Sequence, residues 1–583
     1  MNKIVDRLKQ KENCIWALGL AVVLCVGIGI FFDYYYALND DVLMKDILAG
    51  IYTGIPEGRN IQMLFPISWL LSLFYRVARG VPWYGIFLCI CHFGSIYLLT
   101  DRLLIFFRKT WMKAIAVVTE AGLIITLFLQ ELVFTQYTVT CTLLAATAAF
   151  LFYTTETEGT VKEFFCKNMV SIVLVTLAFQ IRTEMLLLVL PLICVTGLCR
   201  WACEKPFFTK ENAAKYLSVF GGILLGLALS QAIHMAAYAG AEWQEFNRYF
   251  DNRTDLYDFL WRWHPIYEEN REFYDSIGMT ESSQKLIENY NFGLDEEIDA
   301  DLLERINANA RERRKEQAPF AETLKQAYIV YKYRTFHETD FPWNLFVIVL
   351  YGMVLLTALG NRHFRFLWEL FCMGFVRTGL WMFILYRGRD PERITHSLYL
   401  MEFVILSAFL LVECKKESRV FAFLKAGLMG VLALLCLYNI KGSVEKVQEN
   451  YAVREETDKE WKALQAYIKD NWESFYFVDV YSTVKYSEKL FENLDNSIAN
   501  YDIMGGWASK SPLTTQKFQF FGITDMEHAV LEQENVYVVD RYGDWNWLVN
   551  YYRDKGIDIS LQKIDSIRNG DKEVFGVYTV QKN

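Results

Sequence analysis

Residues Ile15–Phe32 read IWALGLAVVLCVGIGIFF, an unbroken apolar run preceded by Lys3, Arg7, Lys9 and Lys11 and followed closely by Asn39-Asp40-Asp41. As a helix it is about 27 Å long, close to the ~30 Å of hydrocarbon in a bilayer. It exceeds the apolar core of a secretory leader, and no small-residue cleavage site precedes Tyr34. The run therefore reads as a retained first membrane span.

Comparable runs recur along the chain. The spacing predicts spans over 15–32, 82–100, 114–134, 135–153, 168–184, 185–199, 217–237, 342–359, 365–386, 397–413 and 420–439, about eleven in all. The apolar stretch Ile61–Val77 carries Pro66 and Arg76 and is short, so a helix lying at the interface is expected there. With 53% hydrophobic and 16% aromatic residues in 583, the composition is that of a membrane chain, because a soluble protein of this length carries no such runs. The net charge of −9 speaks against nucleic acid as a partner and for no particular lipid surface.

Lysine and arginine placement sets the expected orientation. With the N-terminus in the cytoplasm, the short inner connections carry Arg102, Arg108, Lys109 and Lys113, then Lys162 and Lys167, then Arg200, Lys205, Lys210 and Lys215. Arg362 and Arg365, and Lys415, Lys416 and Arg419, follow the same rule. An odd span count leaves the C-terminus outside the plasma (inner) membrane. The expected fold class is thus an all-α polytopic membrane protein with a small C-terminal extracytoplasmic α/β domain. Residues 1–440 form the transmembrane part, with an outer loop over 33–81 and a large outer helical loop over 238–341; residues 441–583 form the outer domain. In that domain Phe475–Val480, Asn535–Asp540 and Val574–Val580 read as strands, Lys459–Asn471 and Trp545–Lys555 as helices, and Gly505-Gly506-Trp507 as a turn. In the large loop, helices are expected at 294–314 and from Phe320 to Tyr331. Neither outer segment contains cysteine, so neither holds a disulfide framework or a Cys/His metal spacing. The sequence gives no motif for a resident cofactor.

Several residues carry potential chemistry. Asp40 and Asp41 supply paired carboxylates just outside the first span, suited to act as general base or to hold a divalent cation; equally, Asn39 suits an N-cap and the acids suit a first helical turn. Arg377 falls near the middle of a predicted span, where an unpaired charge costs about 3 kcal/mol or more. It calls for a polar cavity or a partner such as Glu369, Glu120 or Glu131. Arg182 and Glu184 occupy a tight outer hairpin, as a local ion pair or as ligand-binding groups. Arg387, Arg389 and Arg393 emerge on the outer side, against the positive-inside trend. A phosphate group matches their guanidinium forks, and pairing with Asp390 and Glu392 is the competing reading. His92 and His234 read as packing histidines. Asp479 and Asp540 end two predicted strands, where ligand-binding or turn-forming aspartates both occur.

The order of these features resembles a family. The acidic pair after span one is followed by Gly50 and Tyr52-Thr53-Gly54-Ile55-Pro56. Gly80-Val81-Pro82-Trp83-Tyr84 then leads into span two, with Phe134-Thr135-Gln136-Tyr137-Thr138 and Ile181-Arg182-Thr183-Glu184 at outer hairpins. This layout is similar to that of the GT-C-type membrane glycosyltransferases of bacterial cell-envelope pathways. The resemblance implies a sugar donor carried on polyprenyl phosphate and a cell-envelope glycan or lipid acceptor. It further implies a site at the outer membrane face, Asp40 or Asp41 as base, arginines on the departing phosphate, and an outer domain that helps bind acceptor. Direct base catalysis by either aspartate would invert the anomeric configuration. The segment 238–341 is longer than its counterpart in many such enzymes, so no residue role carries over to it. A transporter or flippase for lipid-linked glycans, a polymerase or ligase of such glycans, and a non-catalytic assembly protein are the alternatives.

Overall fold

The computed structural model describes residues 2–206, 208–264, 266–360, 364–413, 419–492, 494 and 497–583. Arg362, Lys415 and Lys416, assigned above to inner connections, lie outside the described residues.

Among the described residues, eight helices are long and apolar enough to cross a membrane, and nine if the bent pair Val161–Lys167 and Met169–Ile181 forms one span. Their outward faces supply the physical reason to place them in lipid. Ile15, Val23 and Ile30 on the first helix are 71%, 69% and 72% exposed, a surface that water would not tolerate. The chain is therefore a multi-pass membrane protein. Each of the eleven predicted segments coincides with helix, but three differ in kind. Residues 168–184 contain the longer arm of the bent pair, and 342–359 contain a shorter apolar helix, Trp343–Leu359. Residues 420–439 open a continuous helix, Arg419–Asp470, that runs 52 residues without a break at 440. The helix expected over Lys459–Asn471 is the far end of that same rod, which links the membrane part directly to the C-terminal domain.

The helix Tyr137–Thr154 is the hub. Its runs of alanine (Ala145, Ala146, Ala148, Ala149) let neighbouring helices approach closely on all sides. Its threonines satisfy themselves: the hydroxyls of Thr140, Thr147 and Thr154 donate to carbonyls one turn back at 2.8, 2.8 and 2.7 Å. These three hydroxyls thus have an acceptor within their own helix. His92 packs against this hub with Nε2 2.8 Å from the Thr140 hydroxyl, as expected of a packing histidine.

Two sheets lie outside the apolar helices among the described residues. The small one pairs β1 (Tyr35–Tyr36) with β2 (Phe134–Thr135) in parallel, tying the segment after the first span to the joint before the helix Tyr137–Thr154. The larger has the order β4-β3-β5-β7-β6, with β3 (Phe475–Val478), β4 (Tyr501–Ile503), β5 (Val536–Asp540), β6 (Ile559–Asn569) and β7 (Lys572–Lys582). β3 runs parallel to β4 and β5, while β7 is antiparallel to β5 and β6. The three predicted strands are β3, β5 and β7; β4 and β6 escaped prediction, as did the helices Pro512–Phe520 and Met526–Glu532.

The domain grips the membrane part through backbone and charge. Tyr36 N donates to the Glu488 carbonyl (3.0 Å), and Leu490 N donates to Tyr34 (2.9 Å). The buried Lys45 ammonium pairs with Asp46 at 3.0 Å and with Glu488, which also accepts from Trp461 Nε1 at 3.1 Å. From the large loop over 238–341, Gly293 N donates to the Met504 carbonyl (2.8 Å), and Asn291 bridges the Asp479 carboxylate and Val480 N. The contact is tightest at Gly505, where an added Cβ would meet the Tyr290 carbonyl oxygen at 1.8 Å. Gly505→Ala should therefore cost about 1–3 kcal/mol by forcing loop and domain apart. The expected result is a lower melting temperature in detergent and faster proteolysis within 238–341; unchanged values of both would refute it.

Candidate functional site

The helix Asn39–Ala49 begins directly after β1, with Leu38 as its N-cap residue and no side-chain cap. The capping role expected for Asn39 is thus not realised. The helix stops at Gly50, whose φ of +82° suits glycine, and a Cβ there would collide with Ile55 and Pro56.

Because successive residues on a helix turn by about 100°, the two acids separate. Asp41 is fully buried: its Oδ1 accepts from Tyr84 Oη at 2.8 Å and Tyr137 N at 3.3 Å, and Oδ2 has no hydrogen-bond partner among the described residues. Burial pushes its carboxyl up to about 8, so it is protonated at neutral pH. Asp40 is half-buried and lines a cavity of about 470 Å³. Among the described residues nothing donates a hydrogen bond to Asp40 and no cation stands within 4.0 Å of it. The adjacent carboxylates therefore do not form a paired site. Nor, among the described residues, does any group of three or more His, Cys, Asp and Glu side chains gather as metal ligands.

The same cavity collects the arginines. Arg182 sits at the extended joint between the helices Met169–Ile181 and Thr183–Ala202, with φ −153° and ψ 96°. It donates to Gln62 Oε1 at 2.5 Å, pairs with Glu184 at 3.1 Å and lies over the Tyr137 ring at 5.3 Å. Arg387 closes the helix Phe364–Arg387, and its guanidinium rests on the Phe259 ring at 3.9 Å. Gly388, at φ +72°, turns the chain so that Arg389 meets Asp258 at 2.9 Å. Arg393, in the first turn of Glu392–Glu413, has no ion-pair partner among the described residues and faces the cavity. Asp390, expected to neutralise this loop, pairs instead with Arg334.

Arg377 is elsewhere. Its Nε donates to Glu402 Oε2 at 2.8 Å and its Nη1 to Tyr331 Oη at 2.5 Å, with the Tyr331, Trp381 and Tyr399 rings around it. It does not line the cavity, and its partner is none of the three acids expected. Glu369 accepts from Tyr153 Oη, Glu120 from the Thr100 hydroxyl, and Glu131 faces His396. Of the two readings the sequence leaves open for Arg377, a polar cavity or an ion partner, these contacts favour the interhelical pair. Six of the eight predicted site residues (Asp40, Arg182, Glu184, Arg387, Arg389, Arg393) share one cavity, while Asp41 and Arg377 do not.

The cavity opens where three apolar helices end: the last turn of Phe364–Arg387 and the first turns of Thr183–Ala202 and Glu392–Glu413. Met185, Leu188, Phe383 and Ile384 make its apolar wall. The lining also includes residues that sequence reasoning did not single out, Asp251, Arg253, Tyr257 and Asp258 of the large loop, with Trp507, read only as part of a turn, from the C-terminal domain. Their only signal was the density of aromatic and charged residues around Tyr257–Trp263. The arrangement offers two carboxylates, Asp40 and Asp251, with no hydrogen-bond or ion partner among the described residues, three guanidiniums, Arg253, Arg387 and Arg393, with no carboxylate partner among them, and an apolar flank. A polar group attached to a hydrocarbon chain fits such a site.

The chain matches no protein-family model, and comparison with curated proteins and with solved structures gives no match.

Proposed function

We propose that this protein is an integral membrane glycosyltransferase that moves a sugar from a polyprenyl-phosphate donor to a hydroxyl of a cell-envelope glycan or lipid acceptor. The observation that supports it is the meeting of an unpartnered Asp40 carboxylate with Arg387 and Arg393 in one cavity at the ends of apolar helices. In this reading Asp40 alone is the base. As the acceptor hydroxyl attacks the anomeric carbon, its proton passes to Asp40. The bond from that carbon to the phosphate oxygen breaks, and the electron pair leaves with the lipid phosphate. Arg393 and Arg387 stabilise the departing charge in a partly dry site, while Arg182 and Arg389 hold the cavity walls through Glu184 and Asp258. Backside attack inverts the anomeric centre. The prenyl chain lies along Met185, Leu188, Phe383 and Ile384.

The reading carries a topology: eleven spans in the plasma membrane, the N-terminus in the cytoplasm, and both the cavity and the 441–583 domain outside. The lysines and arginines of the short inner connections support it. The test is a glycan profile. Cells lacking this chain should lose one defined envelope sugar and accumulate the precursor one residue short, with both restored by the intact gene. An unchanged profile would sink the transferase reading, and accumulation of complete lipid-linked glycan on the cytoplasmic side would favour a flippase.

A further inference from the structure

A second concavity lies on the far side of the large loop, at the C-terminal edge of the five-stranded sheet. The chain leaves β3 toward β4 on one side and leaves β5 toward β6 and β7 on the other. The ends of β3 and β5 therefore flank a crevice where the strand order reverses, the place where open α/β sheets bind ligands. Asp479 and Asp540 stand at these two ends and line a groove of about 910 Å³, roofed by the helix Glu281–Glu288 of the large loop.

The chemistry of the groove is specific. Tyr481 and Tyr542 are 45% and 67% exposed, and Trp545 and Trp547 share the wall with their rings 5.6 Å apart. Two buried polar atoms at this wall have no hydrogen-bond partner among the described residues: Asp540 Oδ1 and Trp545 Nε1. Their residues are only 4% and 5% exposed, so the missing partners represent a real cost unless something binds. Acids outnumber bases among the lining residues by seven to two. Aromatic faces stack on the C–H faces of sugar rings, and carboxylates accept from their hydroxyls. An acidic wall repels phosphate and uronate groups.

We propose that this groove is a carbohydrate-binding subsite for a neutral or amine-bearing oligosaccharide. On the transferase reading, which it extends, it holds the part of the acceptor remote from the transfer point. A row of rings connects the two places: Tyr257 of the Asp40 cavity stacks on Tyr290 at 4.3 Å, and Tyr290 meets Tyr481 of the groove edge-on at 5.9 Å.

The test uses the purified full chain in detergent, without donor lipid or turnover, so it succeeds or fails independently of the transfer chemistry. Tryptophan fluorescence is titrated with maltohexaose, a glucosamine hexamer, hexagalacturonate and a hexalysine peptide. A saturable change with maltohexaose or the glucosamine hexamer, and none with hexagalacturonate, is expected. Trp547→Ala and the surface change Tyr542→Ala should each weaken that binding about tenfold, the size of a contact that anchors a ligand. The proposal is overturned if neither sugar hexamer gives a saturable change, if both variants bind them as the parent does, or if hexalysine binds as tightly as the sugars.

Discussion

Asp40→Asn is expected to lower the transfer rate about 10²–10⁴-fold, the usual span for losing a general base, with the protein folded and present at normal abundance. The asparagine keeps the shape and the half-buried position but cannot take a proton. Substrate binding should change little, so the loss falls on kcat rather than KM. The informative control is one residue away. Asp41 is already protonated at neutral pH, with its carboxyl pushed up to about 8, and it serves Tyr84 and the Tyr137 backbone only as an acceptor. Asp41→Asn should therefore retain most activity. The sign of its effect on stability follows from the direction of the shift. Between the ordinary aspartate range and about pH 8 the unfolded chain has released a proton that the folded chain keeps, so Asp41 costs more stability as pH rises. The Asp41→Asn protein should gain melting temperature relative to the parent between pH 5 and 8. Equal activity of the Asp40→Asn variant and the parent, or loss of activity in Asp41→Asn alone, would reverse the assignment of the base.

Much of the membrane part was legible because a span must satisfy two crude requirements, length and apolarity, which sequence displays directly. The segments that differ are those where a third factor intervenes. The apolar run over 168–184 is the longer arm of a helix pair bent by 51° at Asn168. The last apolar run continues into a polar rod through Asn439 and Gly442, residue types that often end a helix, and Trp461, Leu464 and Ile468 at its far end are buried against the C-terminal domain. In the C-terminal domain, β3 and β5 announce themselves as buried runs of aromatic and branched residues, whereas β6 is an edge strand with mostly exposed polar side chains. It has no apolar run to recognise. The short β1 and β2 are held by tertiary pairing, which local pattern does not encode.

The site was legible where residues break a rule for no local benefit. Arg387, Arg389 and Arg393 run against the positive-inside trend in the expected topology, and the three converge on the cavity. Asp40 and Asp41 were identified as a pair but not told apart, since their facing depends on where the helix begins. Arg377 breaks a stronger rule, yet the cause is local: Glu402 lies 25 residues on, across the interface between two neighbouring helices. A mid-span charge signals an expense and leaves its purpose open.

That distinction leads to the second large effect. Arg377→Met is expected to destabilise the folded protein by about 3–5 kcal/mol, because the Glu402 side chain, 1% exposed, is left without its ion partner. The Tyr331 hydroxyl loses its acceptor role toward the guanidinium as well. Removing both charges is different. The double change Arg377→Met, Glu402→Leu replaces the pair by apolar groups of similar length and should restore most of the lost stability, since a buried pair costs nearly as much desolvation as it returns in attraction. Melting temperatures of the two single variants and the double variant in detergent give the coupling directly. Activity then separates structure from chemistry: a structural pair predicts a double variant that is both stable and active, whereas a phosphate-binding Arg377 predicts one that is stable and inactive. Because Arg377 is enclosed by Tyr331, Trp381 and Tyr399 and lies off the cavity wall, the first outcome is the expected one, and the second would extend the site into the helix bundle.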